Sequence, residues 1–220
     1  MNWRHILKKI LKKRKNQNST RLTAIWIHGA NQSCNSFNYL SEKCNFENEI
    51  FVKYDSSHSF YENLDSIYDQ VSTTEQSFLI GHSMGGVYAL HLLKKINVVG
   101  VVSISTPFNG SRAADWAKFV VPKYQLFKDA GRRSDPIISG HKIDISCPWT
   151  QIVTTSGGVP YHEGPNDGVV TTASMEYRYS DMDIVKVPAT HFEVMVSTEV
   201  KDIIDETYNM VCSKLNGINH

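Results

Sequence analysis

Residues 81–86 read "GHSMGG", placing Ser83 between glycines where one apolar run, "SFLI" (77–80), gives way to another, "VYAL" (87–90). A hydroxyl at such a junction suits an ordinary turn, a phosphate-cradling loop or a nucleophile. A phosphate loop needs Gly-Lys-Ser/Thr at its end, and this one ends Gly-Gly-Val, so that reading fails. As a nucleophile, Ser83 needs a sharp strand-to-helix turn that drives its backbone toward positive φ. Gly81 and Gly85 leave out the Cβ atoms that would obstruct the turn. A helix opening at Met84 would then aim its free N–H groups and positive pole at the serine oxygen.

A serine hydroxyl is a weak nucleophile without a base, and the base needs an acid to orient it. His191, in "THFEV", follows the apolar run "DIVKVPA"; Asp167, in "GVPYHEGPNDGVV", follows "TQIVTTSG". Asn-Asp-Gly is also a common turn sequence, and a lone histidine also serves as a helix cap. Among nine histidines, His82 is fixed beside Ser83 but points along its strand, away from it. His28 precedes a glycine and holds its own loop. His162 lies in the loop of the candidate acid and is the rival to His191, which is preferred because it follows a strand directly. Asp135, Asp144, Asp181 and Asp183 lie in a long insert or just before a strand, which makes them poorer partners. A tetrahedral intermediate needs two preorganised N–H donors. Met84 N–H, next to the nucleophile, is one candidate, and Ala30 N–H, in "HGANQS" after the first strand, is the other.

These residues need elements to hold them. Apolar, β-branched runs at 22–28, 49–55, 77–81, 98–105, 150–157 and 183–189 predict strands. Helical spacing predicts helices over 60–71, from Gly85 to Ile96, and over roughly 198–215. Near-continuous apolar strands alternating with amphipathic helices mean an α/β domain. Its sheet is mostly parallel, of about six strands, covered by helices on both faces. Such a sheet presents reactive groups at the C-terminal ends of its strands, where Ala30, Ser83, Asp167 and His191 all fall. Residues 112–146 escape the alternation and are too long for a bare connection, so short helices are expected there.

Composition bounds the rest. The 220 residues, 41% of them hydrophobic, suit one domain over 22–220 preceded by a separate segment, 1–21. That segment holds eight of the 23 Lys and Arg and no acid, leaving 15 bases against 22 acids in the body. A mildly acidic body argues against nucleic-acid binding. In the segment, Trp3, Ile6, Leu7, Ile10 and Leu11 fall on one helical face with basic residues on the other. The readings are peripheral contact with an anionic membrane through residues 1–15, or a solvated or docked basic arm. Lys8 and Lys9 interrupt the apolar core that a secretory signal needs. No apolar run approaches the ~20 residues of a membrane-spanning helix. The expected location is therefore cytoplasmic. The four cysteines show no metal-site or redox spacing; Cys34 and Cys44 either close a short loop or remain free thiols.

Taken together, "HGA", "GHSMGG", "STPFNGS" (105–111), "PNDGVV" and "ATHFEV" resemble, in content and order, the serine lipases and esterases of the α/β-hydrolase superfamily. The likeness covers about residues 22–215, nearest to bacterial lipases and lipase-like acyl hydrolases. It implies an α/β-hydrolase fold with Ser83 as nucleophile, His191 as general base and acid, and Asp167 as its orienting carboxylate. It also implies an oxyanion hole from Ala30 and Met84, and a cap or lid formed by residues 112–146. The insert mixes Lys118, Lys123, Lys128, Arg132 and Arg133 with Trp116, Phe119, Val120, Val121 and Phe127, more polar than a lid built for oil droplets. The expected function is cleavage of small-molecule or lipid carboxylic esters through an acyl-enzyme, with no metal or organic cofactor. The alternatives are an acyl thioesterase or amidase on the same residues, or an inactive hydrolase fold used for binding.

Overall fold

Alternate side chains of the first strand, β1 (Leu22–Ile27), enter opposite sides of the sheet: Ala24 and Trp26 pack on one, Ile25 and Ile27 on the other. Both sets are fully buried, as expected of a strand covered on both faces. The computed structural model describes residues 21–111, 114, 125–158 and 164–218. The basic segment 1–20, the insert residues Trp116 to Val121 and His162 lie outside these. β1 is followed by α1 (Asn38–Cys44), β2 (Glu49–Phe51), α2 (Phe60–Val71), β3 (Gln76–His82), α3 (Met84–Leu92) and β4 (Val98–Ile104). Two short helices in the insert, α4 (Gln125–Asp129) and α5 (Asp135–Gly140), precede β5 (Trp149–Thr154), α6 (Thr172–Met175), β6 (Asp183–Val187) and α7 (Thr198–Ile218).

The six strands form one sheet in the order β2-β1-β3-β4-β5-β6, and every pairing is parallel. Helices α2, α3 and α5 cover one face, where Leu64, Ile67, Val87, Leu90 and Ile137 join the core. On the other, α1 and α7 bring in Leu40, Val200, Ile204 and Val211. α2 starts at a capping box in which Ser59 and Glu62 satisfy each other's backbone N–H groups, the expected signature of a firm N-terminus. α3 is buried on all sides, so its sequence carries no amphipathic stripe.

Several expected limits change: the fifth strand ends at Thr154 rather than at 157 and the sixth at Val187 rather than at 189. The second strand ends at Phe51 rather than running to Asp55: β2 is an edge strand, and past Val52 the Gln70 side chain takes over the backbone of Lys53. The helix after Ser83 stops at Leu92, and Leu93 to Ile96 form a tighter turn from which Lys95 reaches Asp65 at 2.9 Å. α1 was not foreseen, because "NYLSEKC" has a short and mostly polar face.

Arg21 enters at the N-terminal edge of the sheet. Its backbone N–H donates to Glu75 (3.1 Å) and its guanidinium to Asn48, beside a polar surface concavity of about 510 Å³. At ~3.3 Å per residue, β1 separates that edge from the opposite one by ~20 Å. All four cysteines are free. Among the described residues no helix is long and apolar enough to cross a membrane.

Candidate active site

Because every strand is parallel, the loops leaving β1, β3, β5 and β6 meet at one edge. The chain leaves β1 toward β2 on one side and enters β3 on the other, which opens a crevice outside the strand ends between them. Ser83 lies there, between β3 and α3, with φ +53 and ψ −122. Its own N–H donates to Ile104 O (2.8 Å), which pins the strained turn to the neighbouring strand. A Cβ at Gly81 would stand 2.6 Å from Gly85 C, and one at Gly85 only 1.9 Å from Ile27 O. The sharp turn therefore needs both glycines. Gly85→Ala is expected to cost about 1–3 kcal/mol or more, because the obstacle is the backbone of the central strand β1. Thermal melting should record a fall of roughly 3–10 °C, and an unchanged midpoint would show that the turn can relax.

Asp167 and His191 are in direct contact. The His191 ring Nδ1 lies 2.7 Å from Asp167 Oδ2, and His191 N–H donates to the Asp167 backbone carbonyl at 3.0 Å. Oδ2 also accepts from the Thr154 hydroxyl (2.6 Å), while Oδ1 accepts from the N–H groups of Val169 (2.9 Å) and Val170 (2.7 Å). Thr154 spends its one hydrogen on the carboxylate, so the Ser105 hydroxyl donates to Thr154. Burial pushes the Asp167 carboxyl up, but the His191 ring, Thr154 and Val170 together outweigh it and hold it below the usual carboxylate range. The acid is ionised and fully hydrogen-bonded, which is what makes a buried carboxylate tolerable.

Ser83 and His191 line the same cavity, of about 480 Å³, together with Ala30 and Met84. Leu126 and Ala130 from the insert wall it, and Val169 and Phe192 stand at its exposed rim. Among the described residues the Ser83 hydroxyl has no hydrogen-bond partner; the serine and histidine share the cavity without a closed bond. The N–H groups of Ala30 and Met84 likewise have no acceptor among the described residues. Met84 is the first residue of α3, where an N–H has no intrahelical partner. Ala30 sits in a tight turn closed by Gln32 N–H to Gly29 O (3.3 Å), with Asn31 left-handed at φ +56. His28 holds this loop as expected, its Nδ1 donating to Gly29 O (2.8 Å), while the Tyr54 hydroxyl bonds the His28 carbonyl (2.7 Å). Burial pushes His28 down, so it stays neutral.

Three participants escaped the sequence reading. Thr154 is the last residue of β5 and Gln32 the last of the "HGANQ" turn; nothing in their types marks them. His82 does not simply point away along its strand. Its ring packs 4.8 Å from that of His191, and Nε2 lies 2.9 Å from the His191 carbonyl. The available signal was its setting: a polar side chain at the buried end of a central strand needs a hydrogen-bond partner.

No family model matches the chain, and no curated protein matches it in sequence. Solved structures do match it in shape. A structure of the metagenome-derived lipolytic enzymes LipS and LipT superposes with a TM-score of 0.65 at 12% identity, over 88% of this chain and 94% of that one. The monoacylglycerol lipase of Paleococcus ferrophilus gives 0.58 at 17% identity, over 87% and 94%. The Vlm2 thioesterase domain, bound with a dodecadepsipeptide, gives 0.51 at 14% identity, over 84% and 96%. At these identities the likeness concerns architecture, and it agrees with the six-stranded parallel sheet: the chain has the α/β-hydrolase fold.

Proposed function

We propose that the protein is a serine hydrolase that cleaves carboxylic esters through an acyl-enzyme. The observation that carries this reading is a cavity lined by Ser83, by His191 with the buried Asp167 hydrogen-bonded to its ring, and by Ala30 and Met84, whose N–H groups have no acceptor among the described residues. Asp167 holds His191 with its proton on Nδ1, which leaves Nε2 as a base. On substrate binding, Nε2 takes the Ser83 proton as Oγ attacks the ester carbonyl. Ala30 N–H and Met84 N–H receive the negative oxygen of the tetrahedral intermediate. His191 then protonates the departing alcohol, and water repeats the sequence to release the acid. The insert residues Leu126 and Ala130 act as part of a cap over the acyl group. The lipolytic activity named for two of the structural neighbours supports the choice of ester. The thioesterase among them makes an acyl thioester the second reading.

Turnover of p-nitrophenyl acetate, butyrate and decanoate, compared with acyl-thioester and amide substrates, decides between these. Higher kcat/KM on the thioester would replace the ester reading. Failure of a fluorophosphonate probe to label Ser83 would favour an inactive binding fold. The basic segment is proposed to hold the protein on anionic membranes. Deleting residues 1–20 is expected to weaken sedimentation with anionic liposomes and leave soluble-ester turnover intact. Equal sedimentation of both forms would refute that role.

A further inference from the structure

The residue before the nucleophile joins three of the loops that meet at the site. His82 is completely buried at the end of β3. Its Nε2 lies 2.9 Å from the His191 carbonyl oxygen, which can only accept, so Nε2 carries the hydrogen. Its Nδ1 lies 3.0 Å from the side-chain amide of Gln32, in the loop after β1. That amide also receives Gly29 N–H at 3.3 Å. A neutral imidazole has one N–H. With it committed to His191, Nδ1 accepts, and a half-turn of the Gln32 amide presents its NH₂ there in place of the oxygen, giving up the long 3.3 Å contact from Gly29 N–H. Burial, followed by the neighbouring His191, pushes His82 down to about 3, in keeping with an uncharged ring.

His191 is also held by Asp167 and by the Phe192 ring, which stands edge-on 5.2 Å from its own. Its ring and its N–H both reach Asp167, while the next residue, Phe192, is 61% exposed. His82 bonds the carbonyl on the far side of the same residue and packs its ring on the His191 ring at 4.8 Å.

We infer that Gln32 and His82 form a polar strut that fixes the backbone of His191 relative to the loop of Ala30, making His82 a positioning residue for the base. This rests on the reading of His191 as the base. Without the strut the residue 191 peptide turns and Nε2 loses its alignment on Ser83. Substrate binding in the cavity is unaffected by changes at His82, because its ring does not line the cavity, whereas Gln32 does.

The test compares His82→Phe, which keeps a ring and loses both bonds, with His82→Gln, whose amide NH₂ can stand where Nε2–H stood. On a soluble p-nitrophenyl ester, His82→Phe is expected to lower kcat about 10- to 100-fold with KM within about twofold. His82→Gln is expected to return kcat to within about fivefold of wild type. Equal impairment of the two, wild-type rates in both, or a loss confined to KM would overturn the strut. If His82→Phe does not fold, Gln32→Leu replaces it; because Gln32 also lines the cavity, kcat alone is read there: it should fall about 3- to 10-fold, and an unchanged kcat overturns the proposal. Ser83→Ala separates the two levels. Undiminished turnover there sinks the hydrolase reading itself, whereas an inactive Ser83→Ala beside indistinguishable His82 variants sinks only the strut.

Discussion

Ser83→Ala is expected to remove ester turnover, lowering kcat about 10⁵- to 10⁶-fold, while the protein melts within a degree or two of wild type. The two halves of this expectation come from different features. Activity goes because, in the proposed mechanism, Oγ is the atom that bonds to the acyl group. Stability stays because that hydroxyl has no hydrogen-bond partner among the described residues. Alanine also meets the φ of +53 with the same Cβ that serine has. Surface and cavity positions of this kind change stability by about 0.5 kcal/mol or less. Steady-state kinetics with thermal melting and fluorophosphonate labelling measure all of it. A variant that retains tenfold or more of the expected residual rate and still takes the probe would place the nucleophile elsewhere.

Asp167→Asn should cost about 10⁴-fold in kcat, for a reason visible in its contacts. All four groups around the carboxylate are donors: Val169 N–H, Val170 N–H, the Thr154 hydroxyl and the His191 ring. An amide NH₂ in that nest must face a donor. If its oxygen keeps the two backbone groups, its nitrogen meets His191, whose Nδ1 must then accept. The imidazole proton moves to Nε2, the position that receives the serine proton in the proposed mechanism. Turnover within tenfold of wild type would remove Asp167 from the mechanism. The same substitution alters acid stability. The folded carboxyl is held below its unfolded value near 4, so its contribution is present above that pH and is lost as pH falls through the folded value. Denaturation curves from about pH 6 down to about pH 2 should be less pH-dependent in Asp167→Asn than in wild type. Parallel curves would count against the assignment.

The sheet was legible because burial on both faces writes itself as continuous apolar runs: "LTAIWI", "SFLIGH" and "VVGVVSI" each became a strand within a residue of its expected limits. The edge strand β2 was overextended, since "FVKYD" stays apolar enough to read as strand while nothing among the described residues continues the ladder on its outer side. Candidate site residues could be placed because each follows a strand, and strand ends are countable. The supporting residues were not countable in that way. Thr154, Gln32 and His82 matter through distances to groups 13, 50 and 109 positions away, and no local pattern encodes such a separation.

The entry of the chain at Arg21, on the edge of the sheet opposite the cavity, carries a consequence for handling and for supply. A bead or surface that grips the chain at Arg21 takes hold of the pole of the sheet opposite the cavity. The mouth between Val169 and Phe192 is then turned outward, like the open end of a cup fixed by its base. Protein immobilised at position 21 should process dissolved esters at nearly the rate of free protein, with substrate arriving from bulk solution.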